Sequence, residues 1–255
     1  SFFSFLSFYL FVKNSIAERY SIWLSGGSLL TAILAVFSSP FGIVLPVLFF
    51  LYDYCLNESN NPFFVLKKQL VHYLPYLIFV LLAVPKLWTV LVIGSSREHY
   101  QGNAVYTLWS MLKVLFDYFR NLLFPAWLNI RYPDYIALTM MDYKIIVSLA
   151  SLTILSWWIV RQMKKARKNI LFCAGWFILF WLPASNIIPI STKMADRYIY
   201  IAGVGFFLWF VSIIFNHVND NANKRNIVNI CMVSLLIVCA GLSIQRNMTW
   251  KNSIV

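Results

Sequence analysis

Eight apolar stretches separated by shorter polar ones organise the chain, at about residues 1–12, 22–38, 41–56, 70–94, 144–160, 170–183, 198–215 and 227–244. A helix that crosses a bilayer needs ~20 apolar residues, so the shorter stretches must extend into their flanks or pack inside a bundle. None shows the alternation of a barrel strand, and an open sheet would leave backbone groups unpaired in hydrocarbon. The pattern therefore predicts an all-α fold, a polytopic transmembrane helical bundle of about eight spans. The stretch 95–143 is too long for a simple connection. Within it, residues 106–124 are apolar except for Lys113, Asp117 and Arg120, which fall at i, i+4 and i+7. One charged stripe on an apolar helix is the pattern of a helix lying in the membrane interface. A true span there would reverse every later loop, so the interfacial reading is preferred.

Composition sharpens this picture. Of 255 residues, 60% are hydrophobic and only 12% are charged, against ~25% charged in ordinary soluble domains; the mean hydropathy is +0.71. The net charge of +12 would suit nucleic acid, but the basic residues sit in short loops between apolar stretches, where the positive-inside rule places them. The most basic loop, Arg161-Gln-Met-Lys-Lys-Ala-Arg-Lys168, is therefore read as cytoplasmic. Stepping helix by helix then puts 13–21 (Lys13, Arg19), 57–69 (Lys67, Lys68) and 216–226 (Lys224, Arg225) on the same side. The opposite face receives Ser38-Ser39-Pro40, the stretch 95–143, the loop 184–197 and the C-terminal end. The partners implied are the lipid bilayer and no nucleic acid. The chain starts without Met, in an apolar run that has neither a basic leader nor a cleavage site, so it reads as a membrane core, 1–255, truncated at both ends.

Chemistry-bearing motifs are sparse. There is no Walker loop, GxGxxG, HExxH or GxSxG, and no clustering of His with carboxylates, so no metal site is predicted. His72, His99 and His217 are scattered. Cys55, Cys173, Cys231 and Cys239 lie in or beside apolar runs without CxxC spacing, and core packing is their expected role. Asp53, near the cytoplasmic end of its helix, is expected to reach water. Lys86 lies inside an apolar stretch, where a charge is either functional or snorkels to the surface.

The most informative run is Trp181-Leu-Pro-Ala-Ser-Asn-Ile-Ile-Pro-Ile-Ser-Thr-Lys-Met-Ala-Asp-Arg-Tyr-Ile-Tyr200. It sets Lys193, Asp196 and Arg197 just where a helix begins, and cations beside a helix N-terminus make an anion site. Asp196 neutralises Arg197, orients it or ligates a metal; alternatively the pair only anchors the helix at the interface. Tyr198 and Tyr200 fit an aromatic belt under either reading. A second cluster, Pro125-Ala-Trp-Leu-Asn-Ile-Arg-Tyr-Pro-Asp-Tyr135, brings Arg131 and Asp134 among aromatic residues that suit a headgroup or sugar ring, or form a plain interfacial loop.

These same stretches resemble a family. Pro183-Ala-Ser-Asn-Ile-Ile-Pro followed by Ala195-Asp-Arg-Tyr-Ile-Tyr-Ile is similar to the signature of the transmembrane and tetratricopeptide-repeat O-mannosyltransferases and their bacterial relatives, of the GT-C glycosyltransferase superfamily. Ser38-Ser-Pro-Phe-Gly-Ile-Val-Leu-Pro46 with Leu51-Tyr-Asp-Tyr54, Phe119-Arg-Asn-Leu-Leu-Phe-Pro125 with Tyr132-Pro-Asp-Tyr135, and Arg246-Asn-Met-Thr-Trp250 resemble further family segments in the same order. The last looks like the junction to tetratricopeptide repeats. The resemblance implies transfer of a sugar from a polyprenyl-phosphate carrier to a protein or glycan acceptor on the outer or lumenal face. In that scheme Arg197 and Lys193 bind the donor phosphate, with Asp196, Tyr198, Asn186, Arg131 and Asp134 in support. The family's catalytic carboxylate would precede Ser1, so the catalytic residue within this chain is unknown. No cofactor is certain; the donor is the polyprenyl-phosphate-linked sugar, and a divalent metal is compatible. Two departures stand out: the family's Lys in the short turn is replaced by Ser38, Ser39 and Pro40, and Ala202-Gly-Val-Gly205 replaces a Pro-Ser pattern. These keep open the alternative of an inactive, GT-C-like membrane scaffold or partner-binding subunit. A bacterial inner membrane is preferred, with the endoplasmic reticulum as the alternative.

Overall fold

The computed structural model describes residues 1–17, 21–56, 73, 75, 76, 79, 81, 103–124, 132, 141–163, 168–186, 194–218 and 222–249. Among them every regular element is helical: α1 (Phe2–Ile16), α2 (Ile22–Ser38), a 3-10 turn (Pro40–Val44), α3 (Leu45–Leu56), α4 (Ala104–Leu123), α5 (Tyr143–Met163), α6 (Lys168–Trp181), a second 3-10 turn (Leu182–Ala184), α7 (Asp196–Val218) and α8 (Ala222–Thr249). Each predicted apolar stretch within the described residues becomes a helix. Two helical segments, Asp196–Ile214 and Asn223–Gln245, are long and apolar enough to cross a membrane, whereas Phe2–Ile16, Ile22–Ser38, Phe41–Cys55, Tyr143–Ile154 and Lys168–Ala184 are shorter apolar helices.

Pairwise packing follows from the residues on each face. Where α1 and α2 meet, the buried positions are small or hydroxylated, Ser4 and Ser7 against Ser28, Thr31, Ala32 and Ala35, while Phe11 is buried toward α3. The Ser7 hydroxyl donates to the Ser28 carbonyl at 2.7 Å and the Ser28 hydroxyl returns a bond to the Ser7 carbonyl at 2.9 Å. Small residues and reciprocal hydroxyl bonds are how helices associate where lipid removes the hydrophobic drive between them. α6 buries Ile170, Cys173, Trp176, Phe177 and Phe180, a stripe at helical spacing. That stripe meets α3 on one side and α7 on the other. The Trp176 indole donates to the Ile201 carbonyl at 2.9 Å, which gives the buried ring the polar partner it requires. A Cβ on Gly205 would lie 2.6 Å from the Cys173 carbonyl oxygen and 2.9 Å from the Phe177 nitrogen. Glycine is thus what lets α7 approach the α6 backbone this closely.

An aromatic core joins α1, α3 and α6. Phe11 stacks on Phe49 at 4.3 Å between ring centroids, and Phe8 meets Trp176 edge to face at 5.1 Å. α4 packs on α5 and touches α7. The Ser148 hydroxyl bonds the Leu112 carbonyl at 2.7 Å, and Ile145 is fully buried beside Leu112.

Two expectations need correction. Asp53 does not reach water: it is fully buried and accepts hydrogen bonds from Tyr73 and from Ser15, because α1 and Tyr73 close over the α3 face that carries it. The cysteines do not all pack in a core. Cys55 and Cys173 are buried, but Cys231 is exposed and Cys239 half-buried, since α8 turns its apolar surface away from the other described helices. The charged stripe of α4 also has partners that its spacing does not show. Asp117 is fully buried, Lys144 reaches both its oxygens at 3.2 Å, and Arg120 lies 3.3 Å from it. Lys113 pairs with Asp142 at 2.6 Å. The stripe is neutralised by the start of α5, a non-local partner that helical spacing does not show.

Candidate functional site

The first turn of α7 gathers most of the predicted site residues that the structure describes. An acidic residue in a helix's first turn interacts favourably with the macrodipole, and Asp196 opens α7. The approach to that turn is fixed from α4. The Tyr118 phenol donates to the Ala195 carbonyl at 3.2 Å and accepts from the Ala195 nitrogen at 3.1 Å, and Tyr118 is fully buried. Burial holds this phenol above the ordinary tyrosine range, so it stays a donor. One helical turn further along α4, Asn121 donates to the Tyr132 hydroxyl at 2.9 Å and lies 3.5 Å from the Asp196 carboxylate. The Tyr132 hydroxyl in turn lies 2.8 and 3.0 Å from the two oxygens of Asp196. Asp196 is thus oriented by a tyrosine and an amide 64 and 75 residues away in sequence.

Arg197 is exposed and lays its guanidinium 5.2 Å from the Tyr198 ring centroid, a cation–π contact that limits its rotamers. Tyr198, half-buried, also packs on Phe41 at 5.8 Å. Asn186 sits elsewhere in the packing. It is buried at a positive φ of 53° after the second 3-10 turn, with its amide 3.2 Å from the Met111 sulfur. That backbone conformation is one asparagine tolerates better than most residues, so Asn186 shapes the turn that leaves α6. Lys193, Arg131 and Asp134 lie outside the described residues, as do His72, His99 and Lys86.

Below Asp196 opens a cavity of about 340 Å³, lined by Phe5, Asn121, Leu122, Asp196, Ile199, Tyr200, Gly203, Val204 and Phe207. Its polar end is the Asn121–Asp196 pair and its walls are apolar. Asn121 was not singled out from the sequence, and Tyr132 entered only as part of a motif. The Phe119-Arg-Asn-Leu segment did hold a signal, a polar amide in an apolar helical run. Among the described residues no group of three or more His, Cys, Asp or Glu is placed to hold a metal ion.

Fold and site together define, among the described residues, a helical protein with two membrane-length helices and adjacent acidic and basic residues at the start of one of them. Comparison with known protein families, curated proteins and solved structures gives no match.

Proposed function

We propose that the chain is the membrane core of a glycosyltransferase that moves a sugar from a polyprenyl-phosphate carrier to a protein or glycan acceptor on the outer or lumenal face of its membrane. The membrane reading rests on exposed apolar surface. None of the apolar stretch of α8 is buried and only 28% of that of α7, while Trp23, Phe37, Trp157 and Ile154 stand at least 60% exposed. Soluble monomers rarely carry contiguous apolar patches of that extent. Lipid as solvent removes the difficulty, and the basic loops then set an orientation with the Asp196 end of α7 outside. In this topology the chain crosses about eight times, the 95–143 segment lies outside with α4 in the interface, and a bacterial inner membrane suits the composition.

The observation that carries the transfer reading is the exposed Arg197 guanidinium beside the N-terminus of a membrane-length helix. Guanidinium and helix dipole together suit a lipid phosphate at headgroup depth. They would stabilise the phosphate as it departs with negative charge, while a carboxylate elsewhere takes the acceptor proton. Lys193, Arg131 and Asp134 belong to this reading as further donor contacts. Asp196, held by Tyr132 and Asn121, sits beside Arg197 in the same helical turn, Tyr198 restrains Arg197, and Asn186 supports the turn before them.

Substituting Arg197 by Ala in the intact protein, reconstituted with a polyprenyl-phosphate sugar, is expected to lower transfer by on the order of a hundredfold or more. Helicity and thermal unfolding should stay as in the wild type, because the side chain is exposed. Undiminished transfer would remove Arg197 from the donor site. A second reading, a non-catalytic scaffold of the same fold, is favoured by Ser38, Ser39 and Pro40, which offer no cation in the turn after α2. No transfer by the wild-type protein with any polyprenyl-phosphate sugar would support it.

A further inference from the structure

We propose that the cavity between α7, the end of α4 and the start of α1 binds a single-chain amphiphile with an uncharged, hydroxyl-bearing head. Its volume of about 340 Å³ falls in the range of built small-molecule pockets, ~300–1,000 Å³. The lining is divided. Asp196 and Asn121 stand at one end; Phe5, Leu122, Ile199, Gly203, Val204 and Phe207 form the walls. From Asp196 to Phe207 α7 rises ~16 Å, about half the ~30 Å hydrocarbon layer. The exposed side chains of Tyr200 and Phe207 mark the open flank. Gly203 keeps the space between α4 and α7 clear, since a Cβ there would already come to 3.1 Å of the Leu122 methyl.

The head is selected by charge. A carboxylate accepts hydrogen bonds and donates none, so Asp196 disfavours a phosphate brought against it. A quaternary ammonium has no hydrogen to donate to Asp196 and meets the positive end of the α7 dipole. A hydroxyl fits: it donates to the Asp196 carboxylate, which keeps acceptor capacity beside the Tyr132 hydroxyl, and it lies beside Asn121, whose amide hydrogens face Tyr132 and Asp196. This cavity shares Asp196 with the transfer site proposed above but differs from the Arg197 anion site in chemistry. Binding there is measured without turnover, so its failure is separable from failure of the transfer reading.

The test uses the full chain in lipid nanodiscs with a photoactivatable alkyl glucoside whose reactive group sits in mid-chain. Crosslinks are expected on the peptides carrying Ile199–Phe207 and Leu122, competed by dodecyl glucoside but not by dodecyl phosphate or dodecyltrimethylammonium. Gly203→Leu should reduce those crosslinks on the order of tenfold, equivalent to ~1.4 kcal/mol. Val204→Phe, which fills the same space from the next position of α7, should do likewise if Gly203→Leu fails to fold. Asp196→Leu should remove the preference for the glucoside over the two charged competitors. Crosslinks spread evenly over α2 and α8 would mean bilayer partition only and overturn the proposal. So would equal competition by dodecyl phosphate, or no effect of filling the cavity in a folded variant.

Discussion

At the scale of single residues, the charges of α4 show how burial changes what a side chain is for. Asp117 has no exposure and faces Lys144 and Arg120. Removing one partner of a buried pair leaves the other uncompensated, at a cost of ~3–5 kcal/mol. Asp117→Asn is therefore expected to lower stability by on the order of 3 kcal/mol in chemical unfolding from detergent. Asp117→Asn combined with Lys144→Met should cost less than the sum of the two single changes; strict additivity would show that the pair is not coupled. Asp142 gives a pH-dependent counterpart. Its hydrogen bond from Lys113 holds its carboxyl below the ordinary value of 3.8. A depressed carboxylate contributes stability that is fully present above the unfolded value and is lost as pH falls through the folded one. Protection of the first turn of α5 from hydrogen exchange should therefore fall below about pH 4, by no more than ~1 kcal/mol for a partly exposed pair. Asp142→Asn should flatten that dependence, and an unchanged acid profile in the variant would discard the assignment.

At the scale of elements, one close helix contact is the one glycine makes possible between α6 and α7. Adding a methyl at Gly205 drives a carbon into the α6 backbone, at 2.6 Å from the Cys173 oxygen, where no flexible side-chain end can yield. Gly205→Ala should cost ~1–3 kcal/mol by overpacking. Gly241→Ala on α8 meets nothing within 4 Å and should be neutral or gain up to ~1 kcal/mol from helix propensity. Comparing the two by thermal unfolding separates contact from propensity; equal effects would discard the close-approach argument. The same contrast explains what was legible in the chain. Helices at Ile22–Ser38 and Lys168–Trp181 follow from local runs of apolar residues and were read within a few positions. The Asp196–Arg197 turn was read too, because a charged pair interrupting an apolar run is a local signal. The partners were not legible. Tyr132 and Asn121 reach Asp196 across 64 and 75 residues, and Lys144 reaches Asp117 across 27. Charge at helical spacing predicts a face but not what covers it, so the burial of Asp117 was not legible and Asp53 was read as reaching water. Both carboxylates are buried because residues outside their own helix supply hydrogen-bond donors, Lys144 to Asp117 and Ser15 and Tyr73 to Asp53.

At the scale of the molecule, the topology turns on α4. It is 20 residues long, ~30 Å of helix, enough to cross a bilayer by length alone. Lys113, Asp117 and Arg120 lie along it, and their pairing with Asp142 and Lys144 ties it to the first turn of α5. An ion cluster of this size is expensive in hydrocarbon; at the interface its partly exposed cations keep contact with water. If, as proposed, α3 and the 70–94 stretch each cross once and α4 lies in the interface, Ser39 and Met141 share one side of the membrane. Asn223 at the start of α8 then lies on the opposite side, and Met248 returns to the first. With the four native cysteines replaced, single cysteines at Ser39, Met141, Asn223 and Met248 can be labelled in intact cells by an impermeant maleimide. Met141 and Met248 are 86% and 67% exposed, so access is not limited by packing. Labelling is expected at Ser39, Met141 and Met248 and only after permeabilisation at Asn223. If Ser39 and Met141 label from opposite sides, α4 is a ninth crossing and the Arg197 end of α7 faces the cytoplasm, which removes the physical basis for an outward-facing donor site. If Asn223 and Met248 label from the same side, α8 does not cross, and the length of its exposed apolar surface needs a protein partner instead of lipid.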